Sequence, residues 1–159
     1  MTTASRTFNP QNFTDAPAQL RKSHYIEVPI EDVWAIVSDH GGMTQWMPMI
    51  SHVELTRANG AGEFAEGCER ECQFGPDLLH ETIVFWDAPY GYAYQIADMR
   101  LVQKHVGYLQ LIPTGSGTEV IWTQYFYPNG NFVLNFLSRR IMMPSVMSKA
   151  LKNLSKKVA

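Results

Sequence analysis

Apolar and polar residues recur along this chain with two different periods, and the places where the period changes mark its elements. Residues 1–22 show neither period. They are polar, carry Pro10 and Pro17, and read as an N-terminal arm ahead of a single domain spanning 23–159. Ser23-His24-Tyr25-Ile26-Glu27-Val28 reads as a short strand closed by Pro29. Ile30, Val33, Trp34 and Val37 then fall at i, i+3, i+4 and i+7, one face of a short helix. Pro29 stands at its start, and Glu31 and Asp32 occupy the first turn, where the helix dipole favours acids. Gly41-Gly42 breaks the helix, and Trp46, Pro48 and Met49 follow in a tight connection.

From about residue 49 to 127 the period is two. The expected strands are 50–56, 67–74, 78–86, 91–97, 103–112 and 118–127. Turn sequences separate most of them, among them Asn59-Gly60-Ala61-Gly62, Gly75-Pro76-Asp77, Asp87-Ala88-Pro89-Tyr90-Gly91 and Pro113-Thr114-Gly115-Ser116-Gly117. Links this short join antiparallel neighbours into a meander. After Pro128-Asn129-Gly130 the helical period returns: Phe132, Phe136, Leu137, Ile141, Met142, Val146, Met147, Ala150, Leu151 and Leu154 form one stripe. Pro144 predicts a kink in this long helix, and Lys149, Lys152, Lys156 and Lys157 crowd the end that suits cations.

The alternation also assigns faces. Cys68, Arg70, Cys72 and Phe74 share one side of their strand against Glu69, Glu71 and Gln73. On 103–112, Lys104 and Gln110 point out while His105, Leu109 and Leu111 point in. On 118–127, Glu119 and Thr123 point out and Val120 and Trp122 in; Trp86, alternating with Val84, is expected to face outward. A single curved sheet cannot close a core alone, so the long helix must lie across its concave face. The fold class is therefore α+β: a curved seven-stranded antiparallel sheet wrapped around a long C-terminal helix, with two short helices between strands 1 and 2.

Composition narrows the classes. With 13 Lys+Arg against 15 Asp+Glu the formal charge is −2, which argues against a nucleic-acid binder. Apolar residues at 45% and charged residues at 18% describe a folded chain rather than a disordered one. No apolar run reaches the ~18 residues of a transmembrane segment. MTTASRTFNPQNF has no basic start followed by an apolar stretch, so no secretory signal is expected and the expected location is cytoplasmic. Cys68 and Cys72 lie on one strand about 13 Å apart, too far for a disulfide, and are expected as buried thiols. Aromatics at 12% and eight methionines supply large, adaptable side chains suited to a core or to a pocket for apolar ligands.

Several segments in this order resemble the START-like or helix-grip (SRPBCC) superfamily. That group includes birch-pollen-type (Bet v 1-like) allergens, polyketide cyclase/dehydrase proteins and ubiquinone-handling START proteins. The resembling residues are Ile26 to Asp39, Trp46 with Pro48, Gly67-Cys68-Glu69-Arg70, His80-Glu81-Thr82-Ile83 through Asp87, and Val120-Ile121-Trp122-Thr123 before Phe126. The resemblance implies a deep apolar cavity between sheet and long helix. Carried over by position, the ligand-contacting set is Cys72, Phe74, Glu81, Tyr94, Ile96, His105, Gly107 and Trp122, with Met142, Val146 and Ala150 from the helix.

Two of these residues carry chemistry. Glu81 in an apolar cavity is costly unless paired or protonated. It either pairs with Arg70 on the adjacent strand or serves a ligand. His105 is either a core histidine satisfied by a neighbour or a donor or base facing a ligand. The two are expected about 10 Å apart, with Tyr94 between them. No metal-ligand spacing, nucleophile elbow or phosphate-binding loop is present, so no metal or cofactor is expected. Two functions fit. One is binding of a hydrophobic small molecule, such as a lipid, quinone or polyketide. The other is a cofactor-independent cyclase/dehydratase using Glu81 or His105 as acid/base.

Overall fold

The computed structural model describes residues 4–97 and 99–159. Seven antiparallel strands form one curved sheet: β1 Ala18–Ile26, β2 Ile50–Arg57, β3 Glu69–Phe74, β4 Asp77–Asp87, β5 Gly91–Ile96, β6 Val102–Thr114 and β7 Gly117–Pro128. Their order across the sheet is β1-β7-β6-β5-β4-β3-β2. β2 to β7 form the expected meander, while β1 closes the far edge against β7. Consecutive strands β1 and β2 thus sit at opposite edges. The chain between them crosses the width of the sheet through helix α1, Ile30–Val37, and a 3-10 turn at Gly41–Gln45. Ile30, Val33 and Val37 are buried, and Trp34 lies edge-on to Trp86 and Tyr92.

Helical structure returns in α2, Phe132–Leu137, passes through a π-helical stretch at Ser138–Met142 and continues as α3, Met143–Val158. The π turn explains how the chain accommodates Pro144. Proline has no N–H to give to the preceding turn, and here the N–H of Met143 reaches back five residues to the carbonyl of Ser138. Met147, Ala150, Leu151 and Leu154, at i, i+3, i+4 and i+7, form the buried face of α3. Phe132, part of the expected stripe, has a side chain outside the described residues.

Three expectations are corrected. β1 begins at Ala18, five residues before the strand expected at Ser23, because Ala18 to Lys22 pair with β7 from Tyr125 to Trp122. The preceding residues, from Arg6 onward, run along the convex face of the sheet. Phe8 packs on Phe85 and Tyr108, the Arg6 amide donates to Asp87 at 2.6 Å, and the Thr14 hydroxyl donates to the Lys104 carbonyl at 2.7 Å. Residues 1–3 of the expected arm are outside the described residues. Trp86 faces inward, not outward. An irregularity in the β4–β5 ladder between Ile83 and Phe85 reverses the parity. Phe85 turns to the convex side, and Trp86 packs on the core beside Trp34, Tyr92 and His40.

Cys68 and Cys72 are free and fully buried, and Arg70 is buried between them, as the alternation required. No helix among the described residues is long and apolar enough to cross a membrane.

Candidate functional site

The concave face of the sheet and α3 enclose a cavity. Its free volume is about 80 Å³, room for several waters or a small guest, since one water needs roughly 10–15 Å³. Its wall is apolar: Trp46 and Ile50, Leu79, Tyr92, Leu109 and Trp122 from the sheet side, and Met142, Met143, Val146 and Met147 from the helix.

Most of the carried-over residues meet here. Phe74, Glu81, Tyr94, Ile96, His105, Trp122, Met142 and Val146 all line the space. Cys72, Gly107 and Ala150 do not. The small side chains of Cys72 and Ala150 are wholly covered within the core cluster. Gly107 lies under the Tyr94 ring: a Cβ there would stand 2.2 Å from Tyr94 Cζ, so its lack of a side chain is what lets the tyrosine lie flat across β6. Glu81, Ile96 and His105 stand in register across β4, β5 and β6. Ile96, not Tyr94, therefore separates the two ionisable residues along the register.

Two polar networks are set into this wall. In the first, Arg70 Nε donates to Glu81 Oε2 at 2.6 Å with both side chains buried. Arg70 Nη1 donates to His40 Nδ1 at 2.9 Å, and His40 Nε2 donates to the Phe64 carbonyl at 2.8 Å. These two bonds fix His40 as the neutral Nε2–H tautomer. Burial, then the Arg70 charge, lowers the His40 pKa, in keeping with that tautomer. Burial by itself would lower the pKa of Arg70, but the Glu81 carboxylate, with Tyr92 and Cys72, holds it above its ordinary value. The guanidinium also lies 5.5 Å from the Tyr92 ring centroid and 5.7 Å from that of Tyr94. Glu81 is thus both a lining residue and the counter-ion of Arg70. Burial, and next the Glu81 charge, pushes the Cys72 thiol up to about 12.

In the second network, Tyr94 Oη accepts from Trp122 Nε1 at 3.0 Å and from Gln124 Nε2 at 3.4 Å. The other end of the amide, Gln124 Oε1, accepts from His105 Nε2. Burial lowers the His105 pKa to about 4 against the raising effects of Gln124 and Glu81, so the ring is neutral at physiological pH. Burial also pushes the Tyr94 hydroxyl well above the ordinary tyrosine value. Among the described residues, two buried side-chain polar atoms have no hydrogen-bond partner, Trp46 Nε1 and His105 Nδ1. Both belong to residues that line the cavity.

Sequence reasoning missed His40, Gln124 and the cavity role of Trp46. Gln124 was within reach: it lies two residues beyond Trp122 on the same strand and so on the same face. His40 carried no local signal, since its partners Arg70 and Phe64 are 30 and 24 residues away. No group of three or more His, Cys, Asp or Glu among the described residues could hold a metal ion.

A helix-grip sheet closed over an apolar cavity defines the START-like, or SRPBCC, class of proteins. The family model described as polyketide cyclase/dehydrase and lipid transport matches residues 17–159, and the chain belongs to that family. Its fold is similar to a solution structure from Thermobifida fusca, at 24% identity over 87% of this chain and 91% of that one, with a TM-score of 0.71. It is also similar to a START superfamily protein from Mycobacterium smegmatis, at 14% identity over 88% and 98% of the two chains, TM-score 0.71. A third likeness is to the di-domain ARO/CYC BexL, at 14% identity over 86% of this chain and 48% of that one, TM-score 0.70. Among curated proteins none matches.

Proposed function

We propose that this protein binds a neutral, largely apolar small molecule in the cavity and acts as a binder or carrier rather than as a cyclase. One observation carries the reading: the ionisable residues of the wall are already engaged within the protein. Glu81 is held by Arg70, and Arg70 in turn by Glu81 and His40. His105 spends Nε2 on Gln124, and with a pKa of about 4 it is a weak base at neutral pH. The acid/base roles considered for Glu81 and His105 need a group poised near the working pH and free to reach a reacting carbon.

The ligand chemistry follows from what is left over. Arg70, the one cation among the lining residues, is committed to its partners, so nothing recommends the wall to a carboxylate or phosphate. With Nε2–H donating to Gln124, His105 Nδ1 is an acceptor, and Trp46 Nε1–H is a donor. Both atoms are covered in the resting wall, so a guest that repacks the wall to reach them satisfies them with a hydroxyl at His105 and a carbonyl or ether oxygen at Trp46. Quinone, polyketide and lipid-alcohol skeletons carry such groups. Apolar burial at about 25 cal/mol per Å² drives binding, and the six methionines of the wall, Met43, Met47, Met99, Met142, Met143 and Met147, repack around a guest larger than the resting space.

Native mass spectrometry of the freshly purified protein, with organic extraction of what it carries, tests the reading. The expected result is an apolar molecule near one-to-one, absent from the cavity-filling variant Val146→Trp. A clean apo mass together with unchanged uptake of an apolar fluorescent probe by Val146→Trp overturns it. Turnover of a polyketide substrate that Glu81→Gln abolishes while binding persists would establish the cyclase instead.

A further inference from the structure

The helix that closes the cavity carries an apolar ridge on its outside. Val133, Leu134, Phe136, Leu137 and Ile141 are all exposed, Val133 by 61% and Ile141 by 53%. The first four spread over roughly 160° of the helix surface at 3.6 residues per turn. Scattered exposed apolar residues are ordinary, but five within nine residues of one helical segment form a contiguous patch that marks an interaction site. Met142, Met143 and Val146, which follow directly, line the cavity, so the ridge is continuous with the cavity wall.

Charge decides what the ridge meets. The chain as a whole is at −2, yet residues 120–159 hold Arg139, Arg140, Lys149, Lys152, Lys156 and Lys157 and no Asp or Glu, a local balance of 6 − 0 = +6. Arg140 is exposed within the ridge and Arg139 half-buried beside it, and the four lysines are exposed further along the same helix. A convex apolar ridge needs no complementary groove if its partner is fluid, and long cationic side chains within and beside it can reach up to anionic headgroups. Pairing with a second copy would carry two arginines from each ridge into one shared apolar interface, a desolvation cost that a headgroup layer does not impose.

We infer that residues 133–141 seat this protein on an anionic lipid surface, with Val133, Leu134, Phe136, Leu137 and Ile141 inserted and Arg139 and Arg140 at the headgroups. This goes beyond the binding reading and stands without it, because it concerns the outside of the helix. It places the helix segment that leads into the cavity wall at Met142, Met143 and Val146 beside the lipid phase.

The test is flotation of the full chain with phosphatidylcholine vesicles, with and without phosphatidylserine. The expected result is binding that requires phosphatidylserine and weakens as ionic strength rises. Arg139→Gln with Arg140→Gln should weaken it roughly five-fold per arginine, about thirty-fold together. Phe136→Ser with Ile141→Ser should abolish it while leaving circular dichroism and the melting temperature unchanged, since both side chains are already exposed. The proposal is overturned if the wild type does not float with anionic vesicles, or if it floats equally well in both variants. It is also overturned if sedimentation shows a dimer that Phe136→Ser with Ile141→Ser dissolves, because the ridge would then cover a second copy.

Discussion

His105 is buried as a neutral imidazole, and this makes the stability of the fold depend on pH in a calculable way. Its pKa is 6.5 in the ordinary exposed state and about 4 in the folded protein. Between those values the unfolded chain binds a proton that the folded chain refuses, so stability must fall as pH falls. At about 1.36 kcal/mol per unit, the whole window is worth about 3 kcal/mol, of which about 2 kcal/mol is lost between pH 7 and pH 5. His40, also lowered, contributes with the same sign. The assay is urea unfolding followed by tryptophan fluorescence at pH 7, 6 and 5, on the wild type and on His105→Phe. The substitution costs a pH-independent amount for the stranded Gln124 amide. The informative quantity is the slope, which should flatten by about 2 kcal/mol across this range and retain only what His40 and other groups supply. Equal slopes in the two proteins would refute the neutral, buried state of His105 and with it the weak-base argument against catalysis.

Glu81→Gln keeps an acceptor for Arg70 but removes its counter-charge, and should cost about 3–5 kcal/mol in denaturant unfolding, whereas the double change Arg70→Met with Glu81→Leu should recover most of it. Gly107→Ala should destabilise by about 1–3 kcal/mol and push the Tyr94 ring into the cavity, which a titration with an apolar probe would register as weakened binding. Both thiols should be silent toward a disulfide reagent in the native state and react fully in urea, because they are buried and burial raises the pKa of each, that of Cys72 to about 12.

The elements were legible wherever one period ran without interruption. The alternation over 67–74 placed Arg70 and Cys72 on the inner face, and the β6 and β7 parities put His105 and Trp122 there too. Legibility failed where a single residue shifts the period. The irregularity at Ile83 and Phe85 turns Trp86 inward without any turn residue to announce it. The residues before β1 fail differently, since they have no period of their own: Phe8 is ordered by Phe85 and Tyr108, strands built far downstream. The site was half legible for a related reason. Residue parity says which side chains point into the cavity, but the pairing of Glu81 with Arg70 and of His105 with Gln124 depends on strand register, which parity leaves open.

The placement of β1 at the edge beyond β7 governs the order in which the molecule can be made. Ala18 pairs with Tyr125 and Ile26 with Thr118, so the first strand waits about a hundred residues for its partner. β2 to β6 can zip as successive hairpins in the meantime, each closing a short loop. Helix α3 is later still. A ribosome-bound chain that has emitted β6 but not β7 holds an apolar trough with an unpaired strand at each margin and nothing yet to fill it. That species, rather than any feature of the finished protein, is where a chaperone would find its substrate.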